Sequence, residues 1–286
     1  MLARIDWSRP WYAAVLDTVG GLNLGLGLEL DGAGVIAAFN GRARALGLCN
    51  QDGMALSFVP QSALPEGCAY EEFIGATGGV PTRDNLHDFF NGLVWLSFPR
   101  IKRQLNALQA AQIALSGVGK SRGPARDGAT IFDENAALLV VRDGAAGAAL
   151  VAALRGHEWR TALLDMRASF AAGADAELWL FGHALMEKLV APYKAITAHT
   201  RVVLAEDAFF ALAHADRRAW IDAKVASELA AHGLSTADFT PLPVLGVPGW
   251  WPLQDSAFYD DSAVFRPQRM APQQAAQVAA ESEQHG

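Results

Sequence analysis

The sequence predicts an α+β or α/β fold, mostly helical, in one globular domain over residues 1–270 with a small sheet. Three observations point there. Hydrophobic residues make up 51% of the 286-residue chain and charged residues 19%, enough apolar side chain to fill a core and too apolar for disorder. Three short apolar runs, Ala55–Val59, Ala136–Arg142 and Arg201–Leu204, have the length of strands. Between them lie longer stretches whose apolar residues recur every three or four positions, the period of an amphipathic helix.

Taken in order, a short helical pattern after Trp7 runs into the glycine-rich stretch Gly20–Leu30. Its glycines are not spaced as GxGxxG and no strand precedes them, so a turn is expected, not a dinucleotide site. Val35–Leu46 reads as a helix, and Ala55–Val59 alternates as a strand does until Pro60. Tyr70–Ile74 opens a short element that Gly78-Gly79-Val80-Pro81 ends. Pro99 then separates two helices. The second carries Ile101, Leu105 and Leu108 inside and Lys102, Asn106 and Gln109 as a polar stripe at i, i+4 and i+7.

Gly117-Val118-Gly119-Lys120-Ser121 resembles the end of a phosphate-binding loop. Ala114 stands where that loop needs its first glycine, and a helix precedes it instead of a strand, so a nucleotide-triphosphatase reading is rejected. Arg126–Asn135 reads as a polar turn before the strand Ala136–Arg142. The pattern is helical from Gly147 to Phe170, over Ala176–Val190 and over Ala205–His232, and Arg201–Leu204 is the third strand. Pro241–Pro252, with Trp250-Trp251, should wrap the core in extended form, and residues 271–286 form an Ala/Gln-rich flexible tail.

Charge and cysteines narrow the setting. A net charge of −7 and a pI near 5.5 argue against wholesale nucleic-acid coating, although they leave local nucleic-acid contact open. Cys49 and Cys68 form no CxxC pair, which suits reduced thiols in a cytoplasmic protein. The longest apolar run, Gly144–Leu154, is well short of the ~20 residues of a membrane span, so no membrane partner is expected.

The candidate site centres on the helix from Asp84 to Leu96. Asp84, His87, Asp88 and Asn91 fall at i, i+3, i+4 and i+7, on one face, with Trp95 a turn further on. Leu86, Phe89, Phe90 and Leu93 supply a buried face, and Asp84 is the expected N-cap, which puts His87 at N3. Exposed helix faces favour Lys, Glu and Gln; a stripe of Asp, His and Asn points to a covered, chemical surface. Asp133 and Glu134 form a second cluster, while His183 and Glu187, four residues apart, can share a metal or a hydrogen-bond relay. No Asp or Glu occurs from Phe89 through Arg126, whereas Arg100, Lys102, Arg103, Lys120, Arg122 and Arg126 do, a local positive patch.

Several blocks carry a family likeness: Tyr70-Glu71, Pro81 through Asn91, Phe98-Pro99-Arg100, Leu105-Asn106, Phe132 through Asn135, Phe181 through Leu185, and Phe258 through Asp261. In this order they resemble the bacterial family called domain of unknown function 3025, over about Trp7 to Arg269. The resemblance implies one family-wide unit and a bacterial source. It implies no activity and no residue role.

Residue chemistry alone therefore carries the functional expectation. It is a hydrolase, phosphoesterase-like and assisted by a divalent metal, acting on an anionic small molecule or phosphate-bearing ligand. His87, Asp88, Glu134 and His183 would be catalytic. Arg83, Asn91, Lys102, Asn106 and Arg126 would bind substrate, and Asp84, Asp88 and Asp133 would hold the metal. No HExxH is present. The alternative is a non-catalytic scaffold docking an anionic partner through residues 100–126. A shared site requires His87 or Asp88 within hydrogen-bond reach of Glu134, Asn135 or His183.

Overall fold

The computed structural model describes residues 2–22, 31–116 and 124–268, so the Gly117–Ser121 motif, most of the Gly20–Leu30 stretch and the tail lie outside the described residues. In chain order the elements are α1 (Ala13–Gly21), α2 (Gly32–Ala45), β1 (Ser57–Pro60), α3 (Tyr70–Thr77), β2 (Gly79–Thr82), α4 (Leu86–Ser97), α5 (Pro99–Ser116) and α6 (Pro124–Asn135). There follow β3 (Ala136–Arg142), α7 (Ala145–Arg155), β4 (Ala176–Leu180), α8 (His183–Lys188), β5 (Thr197–Ala205), α9 (Asp207–Phe210), α10 (His214–His232), β6 (Thr240–Pro243) and α11 (Ser256–Tyr259). The result is a mixed α+β fold, mainly helical.

A four-stranded sheet in the order β4-β3-β5-β6 divides the core. Strand β3 pairs parallel with β5 and antiparallel with β4, and its residues alternate between two hydrophobic layers as the pleat dictates. Leu138 and Val140 face the larger layer with α4, α5 and α10, while Leu139 and Val141 face α7 and the C-terminal segment with Tyr259 and Phe265. Burial on both faces explains why Leu138-Leu139-Val140-Val141 is apolar without interruption. No helix among the described residues is long and apolar enough to cross a membrane.

Four expectations need correcting. Ser57–Pro60 does not join the main sheet; it pairs parallel with Gly79–Thr82 as a separate two-stranded sheet. Asn40 of α2 caps the free edge of β1, donating to the Phe58 carbonyl at 2.8 Å and accepting from the Phe58 N–H at 2.7 Å. Ala176–Val190 is a strand and a short helix, not one helix, broken at Gly182. A Cβ there would lie 2.5 Å from Ala136 N and from the Glu134 carbonyl oxygen, so only glycine lets α8 start against the α6–β3 junction. The polar cluster ending at Asn135 is the last part of α6, which runs straight into β3.

The fourth correction concerns the phase of α4. Asn85, not Asp84, is the N-cap, its side chain accepting from Asp88 N at 2.7 Å, and Asp84 is exposed. Leu86 is consequently half-buried, while Phe89, Phe90 and Leu93 are in the core as expected. From Asp88 to Ser97 every residue of the helix is buried. Tyr12 stacks on Phe90 at 5.7 Å and Phe39 on Phe89 at 5.7 Å. Gly92 gives α2 its seat, since a Cβ there would stand 2.2 Å from the Phe39 ring.

Candidate functional site

Enclosing α4 brings its polar side chains against three other helices. Asp88 and Asn91 are 6% and 7% exposed, and Lys102 of α5 is 3% exposed. Buried polar groups must find partners, and these form a chain. Lys102 Nζ donates to Asp133 Oδ1 at 2.5 Å and to Asn91 Oδ1 at 2.9 Å, with the Trp95 ring 5.1 Å away. Asn91 Nδ2 donates to the Tyr70 hydroxyl at 2.9 Å. Beyond Asp133, its Oδ2 lies 3.7 Å from His183 Nδ1. His183 Nε2 meets His87 Nε2 at 3.0 Å, and His87 Nδ1 meets Glu187 Oε2 at 3.0 Å. The i, i+4 pair His183 and Glu187 thus shares a third residue, His87.

The acceptor at Glu187 orders the protons in this chain. The Glu187 carboxylate accepts, so His87 donates from Nδ1, and in the neutral ring its Nε2 carries the lone pair. His183 must then donate from Nε2, which leaves the lone pair on its Nδ1, toward Asp133. That Nδ1 is buried, and at 3.7 Å it makes no hydrogen bond to the Asp133 carboxylate. Burial, helped by Lys102 and His87 and opposed by Asp133, brings the His183 pKa down to about 4, so its imidazole is neutral at pH 7. Burial pushes the Asp133 carboxyl up, but Lys102 and His183 outweigh it and hold the group below its usual range. Burial, together with Glu71, Asp133 and Asp88, holds the Tyr70 phenol well above its usual value.

The buried chain surfaces at a cleft. Asp133 and Tyr70 line a cleft of about 290 Å³ with Ala69, Glu71, Gln109, Ile113, Thr130 and Glu134, between α3, α5 and α6. Asn106 sits behind it and holds Glu71, donating to its carbonyl at 2.9 Å and its carboxylate at 2.6 Å. At the other end, the His87 and Glu187 side chains are 33% and 39% exposed and do not line the cleft. A larger hollow, about 430 Å³ beside Phe209, Trp220 and Lys224, has no part in this network.

The structure sorts the expected site residues. It brings together His87, His183, Asp133, Lys102 and Asn91, and places Glu134 on the cleft wall. It does not bring Asp88 to the cleft wall: both oxygens are engaged by Arg83, at 2.9 and 3.0 Å from the guanidinium and 2.6 Å from the backbone N–H. Asp84, Asp88 and Asp133 do not converge as metal ligands. Asp84 is exposed, and Arg83 and Lys102 already supply the positive charge at the other two. Among the described residues no group of three or more His, Cys, Asp or Glu side chains is arranged to hold a metal ion. Lys102 is withdrawn from the surface patch expected over residues 100–126, and the Arg126 side chain lies outside the described residues.

Tyr70, Glu71, Gln109 and Thr130 were not among the expected site residues, whereas the spacing of His183 and Glu187 had marked that pair. Gln109 was signalled by the Lys102, Asn106 and Gln109 stripe, all of it at least nine-tenths buried. Tyr70 had no signal beyond the family blocks.

A mixed α+β protein with a buried ion pair opening onto a polar cleft is the class that fold and site define. Residues 56–269 match the family model described as "Protein of unknown function (DUF3025)", and the chain belongs to that family. Every member of the network falls inside the match, and α1 and α2 precede it. No curated protein and no solved structure matches the chain.

Proposed function

We propose that the protein is a hydrolase whose chemistry takes place at Asp133, on the floor of the cleft between α3, α5 and α6. One observation carries this reading: a carboxylate held ionised in the interior is also the inner end of a histidine path to solvent. Burying an ion pair and a histidine costs stability unless every group is matched, and such arrangements cluster at functional sites. Asp133 takes a proton from a water in the cleft as that water attacks the substrate carbonyl, then returns it to the leaving oxygen. The acid product ionises, and its proton departs through His183 Nδ1, His183 Nε2, His87 and Glu187.

The lining selects the substrate. Glu71, Asp133 and Glu134 repel an anion, and the two cations Arg83 and Lys102 are already bound to carboxylates. A neutral polar ester suits the cleft; a phosphate ester would need a divalent cation beside it.

The test is hydrolysis of para-nitrophenyl acetate and para-nitrophenyl phosphate, with and without magnesium, by the wild type, Asp133→Asn and His183→Gln. We expect acetate-ester hydrolysis that Asp133→Asn lowers about a hundredfold or more. Equal rates for wild type and Asp133→Asn on every ester would end the reading.

A further inference from the structure

We propose that Tyr70 is the hydrogen-bond donor of this cleft, presenting its hydroxyl proton to the substrate oxygen on which negative charge develops. The proposal deepens the hydrolase reading and rests on it for the identity of that oxygen; the direction of the donor rests on geometry alone.

The direction follows from counting protons. An ammonium has donors and no acceptor, so the Asn91 atom 2.9 Å from Lys102 Nζ must be the amide oxygen. The flipped amide would set an NH₂ group against NH₃⁺, two donors face to face. With the oxygen fixed, the Asn91 NH₂ is the group 2.9 Å from the Tyr70 hydroxyl, and an NH₂ only donates. Tyr70 Oη is therefore an acceptor on that side, and the phenolic hydrogen must point elsewhere. It makes no hydrogen bond among the described residues, and Tyr70 lines the cleft with Asp133.

Lys102 thus arranges both halves of the site. Through Asn91 it turns Tyr70 into a donor, and directly it keeps Asp133 an ionised acceptor. Lys102 and Asn91 are positioning residues; Tyr70 touches substrate. A cation on the amide oxygen also polarises the amide and, through it, strengthens the next donor. Burial and the surrounding carboxylates keep the phenol protonated, so the donor persists above neutral pH. The catalytic step needs no transfer of the phenolic proton. The bond tightens as the carbonyl oxygen gains charge and relaxes when the leaving oxygen takes its proton from Asp133.

Two measurements test this independently. Tyr70→Phe keeps the ring and removes the proton; on para-nitrophenyl acetate, kcat should fall by about a hundredfold to a thousandfold, with KM and the melting curve little changed. An unchanged kcat beside an inactive Asp133→Asn variant would overturn the Tyr70 role while leaving the hydrolase reading in place. The second measurement uses N,N-dimethylacetamide, a neutral carbonyl without donors that cannot bond to the carboxylates. Its infrared carbonyl band should shift to lower frequency on binding the wild type and lose that shift in Tyr70→Phe. A shift kept in Tyr70→Phe, or no saturable binding to the wild type, would overturn the donor whether or not the protein hydrolyses esters. A shift that depends on Tyr70 in a protein without hydrolase activity would keep the donor and discard the hydrolase reading.

Discussion

His183 shows what burial does to a single side chain. Its pKa of about 4 lies below the ordinary 6.5, so the unfolded chain takes up the proton first as the pH falls. The stability it contributes is complete above pH 6.5 and is lost as the pH drops through 4, about 3 kcal/mol in all. Asp222 runs the other way. Burial pushes its carboxyl up from 3.8 to about 6 even as it accepts from Arg100 N and Ile101 N at the start of α5. Its contribution is present below pH 3.8 and lost as the pH rises through 6. Urea unfolding between pH 4 and 6 should therefore show His183→Gln gaining stability relative to wild type toward the acid end; parallel curves would refute the assignment. The sequence made part of this legible. Helical spacing put His87 with Asn91 and His183 with Glu187, but the contact between His87 and His183 spans 96 residues and is set by packing.

Elements were legible where local preference and tertiary demand agree. The β3 run is apolar because both faces of its strand are covered, and it reads as a strand from sequence alone. Strand β4 did not, because Ala, Glu and Leu favour helices; pairing with β3 along Ala137–Val141 overrides them. The start of α8 depends on Gly182, whose role is a distance to another segment's backbone and leaves no trace in periodicity. Gly182→Ala should push α8 away from the α6–β3 junction. We expect a lower melting temperature and, by NMR titration, a His183 pKa moving back toward its ordinary value. An alanine variant with wild-type melting and unchanged histidine titrations would show that the junction yields without harm.

Across the whole molecule, one core ties the residues inside the family match to those before it. The match begins at Leu56, yet Tyr12 stacks on Phe90, Phe39 packs on Phe58 at 4.9 Å, and Thr18 bonds Ser97 at 2.6 Å. Trp11, Tyr12, Val15 and Phe39 are all 2% exposed or less. Removing residues 1–55 uncovers α4 along its aromatic side, and with it the helix that carries His87 and Asn91. A chain starting at Leu56 should lose its cooperative calorimetric transition. A sharp transition within a few degrees of the full chain would mean that α4 needs no cover from α1 and α2.

The line of polar contacts through His183 and His87 has two ends that meet different solvent. Its inner end, at Asp133, lines the cleft; its outer end, at Glu187, does not. Under the proposed hydrolase reading, protons and products would leave by separate doors. Successive turnovers of such an enzyme would be paced by whatever carries protons off the outer surface, so the buffer would become a kinetic participant without entering the cleft.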